Sequence, residues 1–277
     1  DETPHCTREK CMDILQTIIL SLVEGITEFL PVSSTGHMIL ASSIMDISDR
    51  AFVKTFEIAI QLGAIAAIVM LYYKRFIQGI DIYIKLFIAF LPTAAVGFLA
   101  YKTIKTYLFN PLGVSLALVI GGVILILIDK WVVARESRYA ELEDISYKNA
   151  FLIGLAQCVS MIPGVSRAAA TIIGGVANGL NKKQATEFSF LLAVPTMCAA
   201  TGYDLLKTDA TLSSREFLLL AIGFAGAFVS AWLAVKVFIR FVENHGFKAF
   251  GYYRIFIGIV FLAYIMLSGS ASLFNPF

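Results

Sequence analysis

Glu24-Gly25-Ile26-Thr27-Glu28-Phe29-Leu30-Pro31-Val32-Ser33-Ser34-Thr35-Gly36-His37 follows ten mainly apolar residues, Ile14 to Val23. Pro163-Gly164-Val165-Ser166-Arg167-Ala168-Ala169-Ala170-Thr171 closes a second short apolar run, Ala150 to Ile162. Neither run reaches the roughly 20 apolar residues that a bilayer crossing needs. Each ends in proline, serine and charge, whose polar and backbone groups go unsatisfied against lipid. The pattern predicts two re-entrant hairpins, each a helix that enters the membrane, turns at the Pro-Ser loop and leaves on the same side. Charges at such a tip are candidate functional residues.

The rest of the chain agrees with a membrane setting. Of 277 residues, 58% are hydrophobic and 15% charged, with mean hydropathy +0.79. A soluble domain carries about 25% charge and about 45–50% apolar residues. The fold class expected is therefore all-α and integral to the membrane. The first hairpin (14–46) precedes three long apolar segments near 55–73, 85–101 and 113–129, and the second (149–180) precedes three more near 186–206, 216–241 and 252–268. Asp129 to Lys148 is the one sizeable hydrophilic stretch between them. Six transmembrane helices and two re-entrant hairpins form one domain, 12–277, in two repeats of about 12–131 and 147–268. Three crossings per half invert the second repeat relative to the first, the architecture in which broken helices meet near the midplane.

A shift of 132 positions places Pro31 on Pro163, Ser34 on Ser166, Phe56 on Phe188 and Ile60 on Leu192. Loops on the N-terminal side carry eight Lys and Arg (8, 10, 50, 54, 102, 105, 207 and 215). The opposite loops carry thirteen (74, 75, 85, 130, 135, 138, 148, 182, 183, 236, 240, 248 and 254). The positive-inside rule puts the thirteen in the cytoplasm and both termini outside.

Residues 1–11 read as a polar leader, an expression scar ahead of Met12-Asp13, and a Cys6–Cys11 disulfide is disfavoured. So is a cleaved signal peptide over Arg8 to Val23, because no small-x-small site follows. Cys158 and Cys198 sit in apolar stretches and read as small core residues. Net charge of +2 selects no partner, and no nucleic acid is expected.

Glu24 and Glu28 are four apart, one turn apart on a single helix face. Two bare carboxylates at membrane depth repel unless a cation lies between them, and Mg²⁺ or Ca²⁺ suits oxygen ligands. Pro31 stops that helix, and Ser33, Ser34 or Thr35 can cap the next. His37, three residues after Ser34, is placed to exchange a proton with a loop hydroxyl. Arg167, flanked by Gly164 and Ser166 and backed by a helix N-terminus, describes an anion site best suited to phosphate. Ser166 and Thr171 are further donors to that anion, and Gln61, Glu57 and Glu187 read as residues that position the hairpins, with metal or substrate contact as the alternative. Together these groups describe phosphoryl chemistry, in which cations neutralise phosphate oxygens while a hydroxyl or water attacks in line. The nucleophile is Ser34, His37 or water, with Ser34 favoured and His37 or Glu28 assisting. A polyprenyl-phosphate transporter or flippase is the rival reading, since inverted repeats are also a carrier's architecture.

At these residues the sequence resembles the undecaprenyl-pyrophosphate phosphatase family of the bacitracin-resistance type. The first motif, Glu24 to His37, is complete. The second, Pro-Gly-x-Ser-Arg-Ser-x-x-Thr, is met at Pro163, Gly164, Ser166, Arg167 and Thr171, with Ala168 where the family usually has serine. The likeness runs from about residue 12 to the C-terminus and includes Glu187 to Pro195. The resemblance implies removal of the terminal phosphate of undecaprenyl (C55 isoprenyl) pyrophosphate, which recycles the carrier lipid for cell-wall synthesis and underlies bacitracin resistance. It also implies a divalent cation at Glu24 and Glu28, and a bacterial inner-membrane protein whose site opens to the outer side. Glu28, Ser34, His37 and Arg167 are its expected catalytic residues. Ser33, Thr35, Ser166, Arg167 and Thr171 are expected to bind phosphate. The partners expected are the lipid substrate and membrane lipid, with a homodimer admitted.

Overall fold

The structure is a computed structural model that describes residues 12–48, 50–77, 79–107, 111–132, 137–207 and 212–268. The leader, with Cys6 and Cys11, lies outside the described residues. Eleven α-helices and no strand occur among them: α1 (Ile14–Thr27), α2 (Ser34–Ile44), α3 (Ala51–Leu71), α4 (Tyr73–Ile77), α5 (Ile80–Tyr107), α6 (Pro111–Val132), α7 (Tyr147–Cys158), α8 (Arg167–Ala177), α9 (Lys182–Lys207), α10 (Ser214–His245) and α11 (Lys248–Ser268). Six of these (α3, α5, α6, α9, α10 and α11) are long and apolar enough to cross a membrane. Apolar side chains such as Phe87, Phe98, Phe217, Val237 and Phe256 are exposed along them, as a lipid-facing surface requires.

Short helices form the two hairpins. Asp13 starts α1 through a reciprocal capping box with Gln16, and α1 ends in front of Pro31. α1 then packs against α10 so closely that a Cβ on Gly25 would stand 2.0 Å from Ser230 Oγ. Small residues allow the backbone approach that packs helices in lipid. Ser230 Oγ donates to the Ser21 carbonyl (3.2 Å) across that crossing, and Thr93 Oγ1 donates to the Gly154 carbonyl (3.3 Å) where α5 crosses α7. α8 lies against α9, and α3 against α9, around a core that includes Phe29, Ala168, Phe188 and Phe190. α6 pairs with α11.

Two readings of the sequence change here. Arg254, counted among the loop charges, lies inside α11 and is 0% exposed, and Lys85 lies inside α5 and is 5% exposed, so neither is a loop charge. Cys158 is half-buried and Cys198 exposed, so neither is a core residue; an apolar neighbourhood in a membrane helix includes lipid-facing positions.

Candidate active site

Both hairpin turns end in a serine with positive φ, Ser33 at 71° and Ser166 at 77°. Such conformations cost a non-glycine residue about 1–3 kcal/mol and are retained where surrounding structure fixes them. Each serine caps the helix behind it: Ser33 Oγ accepts from the Gly36 amide (3.4 Å) and Ser166 Oγ from the Ala169 amide (3.2 Å). Ser33 and Ser166, 133 apart, are thus alike in conformation and in capping role. By the same offset Ser34 matches Arg167, each the first residue of its helix. The connection after α8 (178–181) is two residues shorter than that after α2 (45–50).

Arg254 ties the turns together. Its Nη1 donates to the carbonyls of Pro31 (3.0 Å) and Val165 (2.8 Å), and its Nη2 to those of Gly164 (2.8 Å) and Ala117 (3.1 Å). Nε adds the Leu118 carbonyl at 3.4 Å. Gly121 makes room for the fork, since a Cβ there would lie 2.3 Å from Nη2. The sequence did carry a signal for this residue: an ionisable side chain within an apolar segment is functional or structural by default.

Between the turns lies a cavity of about 140 Å³, lined by Glu28, Ser33, Ser34, Thr35, Gln61, Ser160, Pro163, Gly164, Ser166, Arg167 and Met197. That is about ten times the ~10–15 Å³ a single water needs. The N-termini of α2 and α8 both reach its wall through their first residues, and their free amides and dipoles favour an anion there. Ser34 Oγ donates to Glu28 Oε2 at 2.5 Å, and Arg167 Nη2 donates to Glu28 Oε1 at 2.8 Å. Arg167 is held further by the Ser189 carbonyl (3.1 Å) and stacks over the Phe29 ring at 5.5 Å. Its Nε is buried without a partner among the described residues.

The structure thus brings together Glu28, Ser33, Ser34, Thr35, Ser166 and Arg167 as expected. It does not bring His37 to the cavity wall. One ring nitrogen of His37 bonds the Ser33 carbonyl (2.8 Å) and the other the Tyr253 hydroxyl (2.8 Å), so Ser34 meets Glu28 instead. Thr171 is also absent from the wall; it is 1% exposed, donates to the Arg167 carbonyl (2.9 Å) and accepts from Ser189 Oγ (2.6 Å). Ala168 is fully buried in the core, so the departure from serine takes nothing from the cavity lining. Glu24 lies behind Glu28, 1% exposed, with Oε1 unpartnered. Sequence reasoning missed Ser160, Met197 and Arg254 as parts of this site.

The chain matches the family described as bacitracin resistance protein BacA over residues 17–260. It belongs to that family. An undecaprenyl-diphosphatase of Wolinella succinogenes is 50% identical over 256 residues, covering 92% of this chain and all of that protein. One from Bdellovibrio bacteriovorus is 51% identical over 251 residues, 91% of this chain and 95% of the relative. A third, from Aquifex aeolicus, is 47% identical over 252 residues, 91% and 98% respectively. These family members carry a phosphatase's name, which favours the enzyme reading over the carrier.

Proposed function

We propose that the cavity removes the terminal phosphate of undecaprenyl diphosphate, with Ser34 as nucleophile and Glu28 as its base. The chain is a membrane phosphatase of this class, and its product is the monophosphate carrier lipid used in cell-wall synthesis. The observation that carries the mechanism is the run Ser34–Glu28–Arg167 in one cavity at two helix N-termini. Ser34 Oγ attacks the terminal phosphorus and its proton passes to Glu28. The bond from that phosphorus to the bridging oxygen breaks, and the lipid monophosphate leaves with the proton from Glu28, which is again a carboxylate. Water then attacks the phosphoserine, gives a proton to Glu28, and frees phosphate as the Ser34 oxygen is reprotonated. Arg167 and the helix amides stabilise charge on the phosphate oxygens.

A divalent cation fits this site. The Glu28 amide donates to the Glu24 carbonyl (2.9 Å), so the two carboxylates stand one helical turn apart, where they need a shared proton or cation. The unpartnered Oε1 of Glu24 supplies a free ligand. No group of three or more His, Cys, Asp or Glu able to hold a metal occurs among the described residues. Two carboxylates suit an ion of the Mg²⁺ type, which keeps waters and takes its other ligands from phosphate. Glu24 and Glu28 would hold it, and it would neutralise phosphate charge.

The hairpins are re-entrant and the halves inverted in this proposal. Three relations at one offset of 133 support that reading: Ser33 with Ser166, Glu24 with Gln157, and the Ser21 carbonyl with that of Gly154, each carbonyl capped by a hydroxyl from a crossing helix. Loop charge supports termini outside and a site open to the outer side of the inner membrane. The test is phosphate release by the purified protein in detergent from polyprenyl diphosphate with Mg²⁺ or Ca²⁺, and its loss in EDTA. No release sinks the enzyme reading, and undiminished release in chelator removes the cation. Acid quench with ³²P-labelled substrate is expected to trap acid-stable phosphoserine. An acid-labile adduct would transfer the role to His37, and no adduct would transfer it to water.

A further inference from the structure

Gln61 sits midway along α3, a helix that crosses the membrane, where a carboxamide is costly unless its groups are used. It lines the cavity beside Glu28, Ser34 and Arg167. Its Oε1 accepts a hydrogen bond from Thr201 Oγ1 at 3.3 Å, and Thr201 is 1% exposed. Thr171, Thr186 and Thr196, in the same half of the chain, donate their hydroxyls to a carbonyl one turn back. Thr201 donates across to Gln61 instead. With the oxygen held from behind by a donor, the end of the amide left for the cavity is its NH₂. That group has no protein acceptor among the described residues, and the carboxylate of Glu28 is already engaged by Ser34 and Arg167.

We infer that Gln61 is a substrate-binding residue whose NH₂ donates to a non-bridging oxygen of the lipid diphosphate, and that Thr201 is the positioning residue that fixes which end of the amide faces it. This rests on the phosphatase reading above and adds a neutral, directional donor to it. A neutral donor complements Arg167: it holds a phosphate oxygen without adding charge that must be desolvated. The unpartnered Arg167 Nε faces the same need for an acceptor, and an anion satisfies both.

The experiment uses the full chain in detergent with polyprenyl diphosphate as substrate and inorganic phosphate as competing product. Gln61→Met keeps the length of the side chain and removes both donors. It is expected to raise KM and the inhibition constant for phosphate together, by about tenfold or more for a lost bond to a charged group. Gln61→Glu turns an acceptor toward the anion and is expected to lose more than Gln61→Met. Thr201→Val is expected to show part of the Gln61→Met effect, with Thr201→Ser restoring it. If folded Gln61→Met shows an unchanged KM and an unchanged phosphate inhibition constant, the inference is overturned. Loss of kcat alone, with both constants unmoved, overturns it equally. Wild-type protein that releases no phosphate would defeat the phosphatase reading instead, so the two failures are distinguishable.

Discussion

Glu28→Gln tests the central proton transfer. Glutamine can keep its oxygen on Arg167, where Nη2 now reaches Glu28 Oε1 at 2.8 Å. Its NH₂ then replaces the oxygen that accepts from Ser34 at 2.5 Å, so two donors face each other and Ser34 has no base. Loss of a positioned general base costs about 10²–10⁴ in rate. At ~1.36 kcal/mol per decade that is about 3–5 kcal/mol on the barrier. Because the pair with Arg167 survives as a hydrogen bond, the thermal midpoint in detergent is expected to stay within a few degrees of wild type. The assay is phosphate release at saturating polyprenyl diphosphate, beside Ser34→Ala and the double variant. Groups that share one proton transfer fail together, so the double variant is expected to be no worse than the poorer single one. A folded Glu28→Gln protein that keeps more than a tenth of wild-type kcat would refute Glu28 as the base. Losses that multiply in the double variant would show that Ser34 and Glu28 act in separate steps.

Arg167→Lys keeps the charge but loses the planar fork that reaches Glu28, Ser189 and the cavity at once; most activity is expected to go, and near-wild-type rates would mean that a point charge suffices. Gly121→Ala puts a Cβ 2.3 Å from Arg254 Nη2, so the bonds to Gly164 and Ala117 must lengthen. A stability loss of about 1–3 kcal/mol is expected, read as a lower midpoint together with reduced kcat. Unchanged values of both would release Arg254 from its role as the clamp. His37 is expected to act through the turn rather than on phosphate: His37→Asn can still donate to the Ser33 carbonyl, and should retain more phosphate release than His37→Ala. Equal loss in the two variants would argue for proton transfer by the imidazole.

Much of this protein is determined by the sequence itself, because lipid as solvent leaves few choices. Apolar runs of about 20 residues must become spanning helices, since every backbone group has to be bonded within the segment. The runs before Pro31 and Pro163 are too short to span, so their hydroxyls and charges were expected to face one another rather than lipid. That reasoning singled out Glu28, Ser34 and Arg167 from local pattern, and the structure lines one cavity with all three. Pairing across the core was decided only by tertiary structure. Ser34 had two candidate bases, and helix α2 rotates His37 onto Ser33 and Tyr253, so Glu28 meets the hydroxyl. Which serine of each turn takes positive φ is a property of the turn that residue identity does not reveal. Arg254 is 223 residues from Pro31 and 90 from Gly164, yet one guanidinium binds both carbonyls. Backbone carbonyls carry no sequence signature, so only the packing of α11 against α6 could show which ones a buried arginine would satisfy.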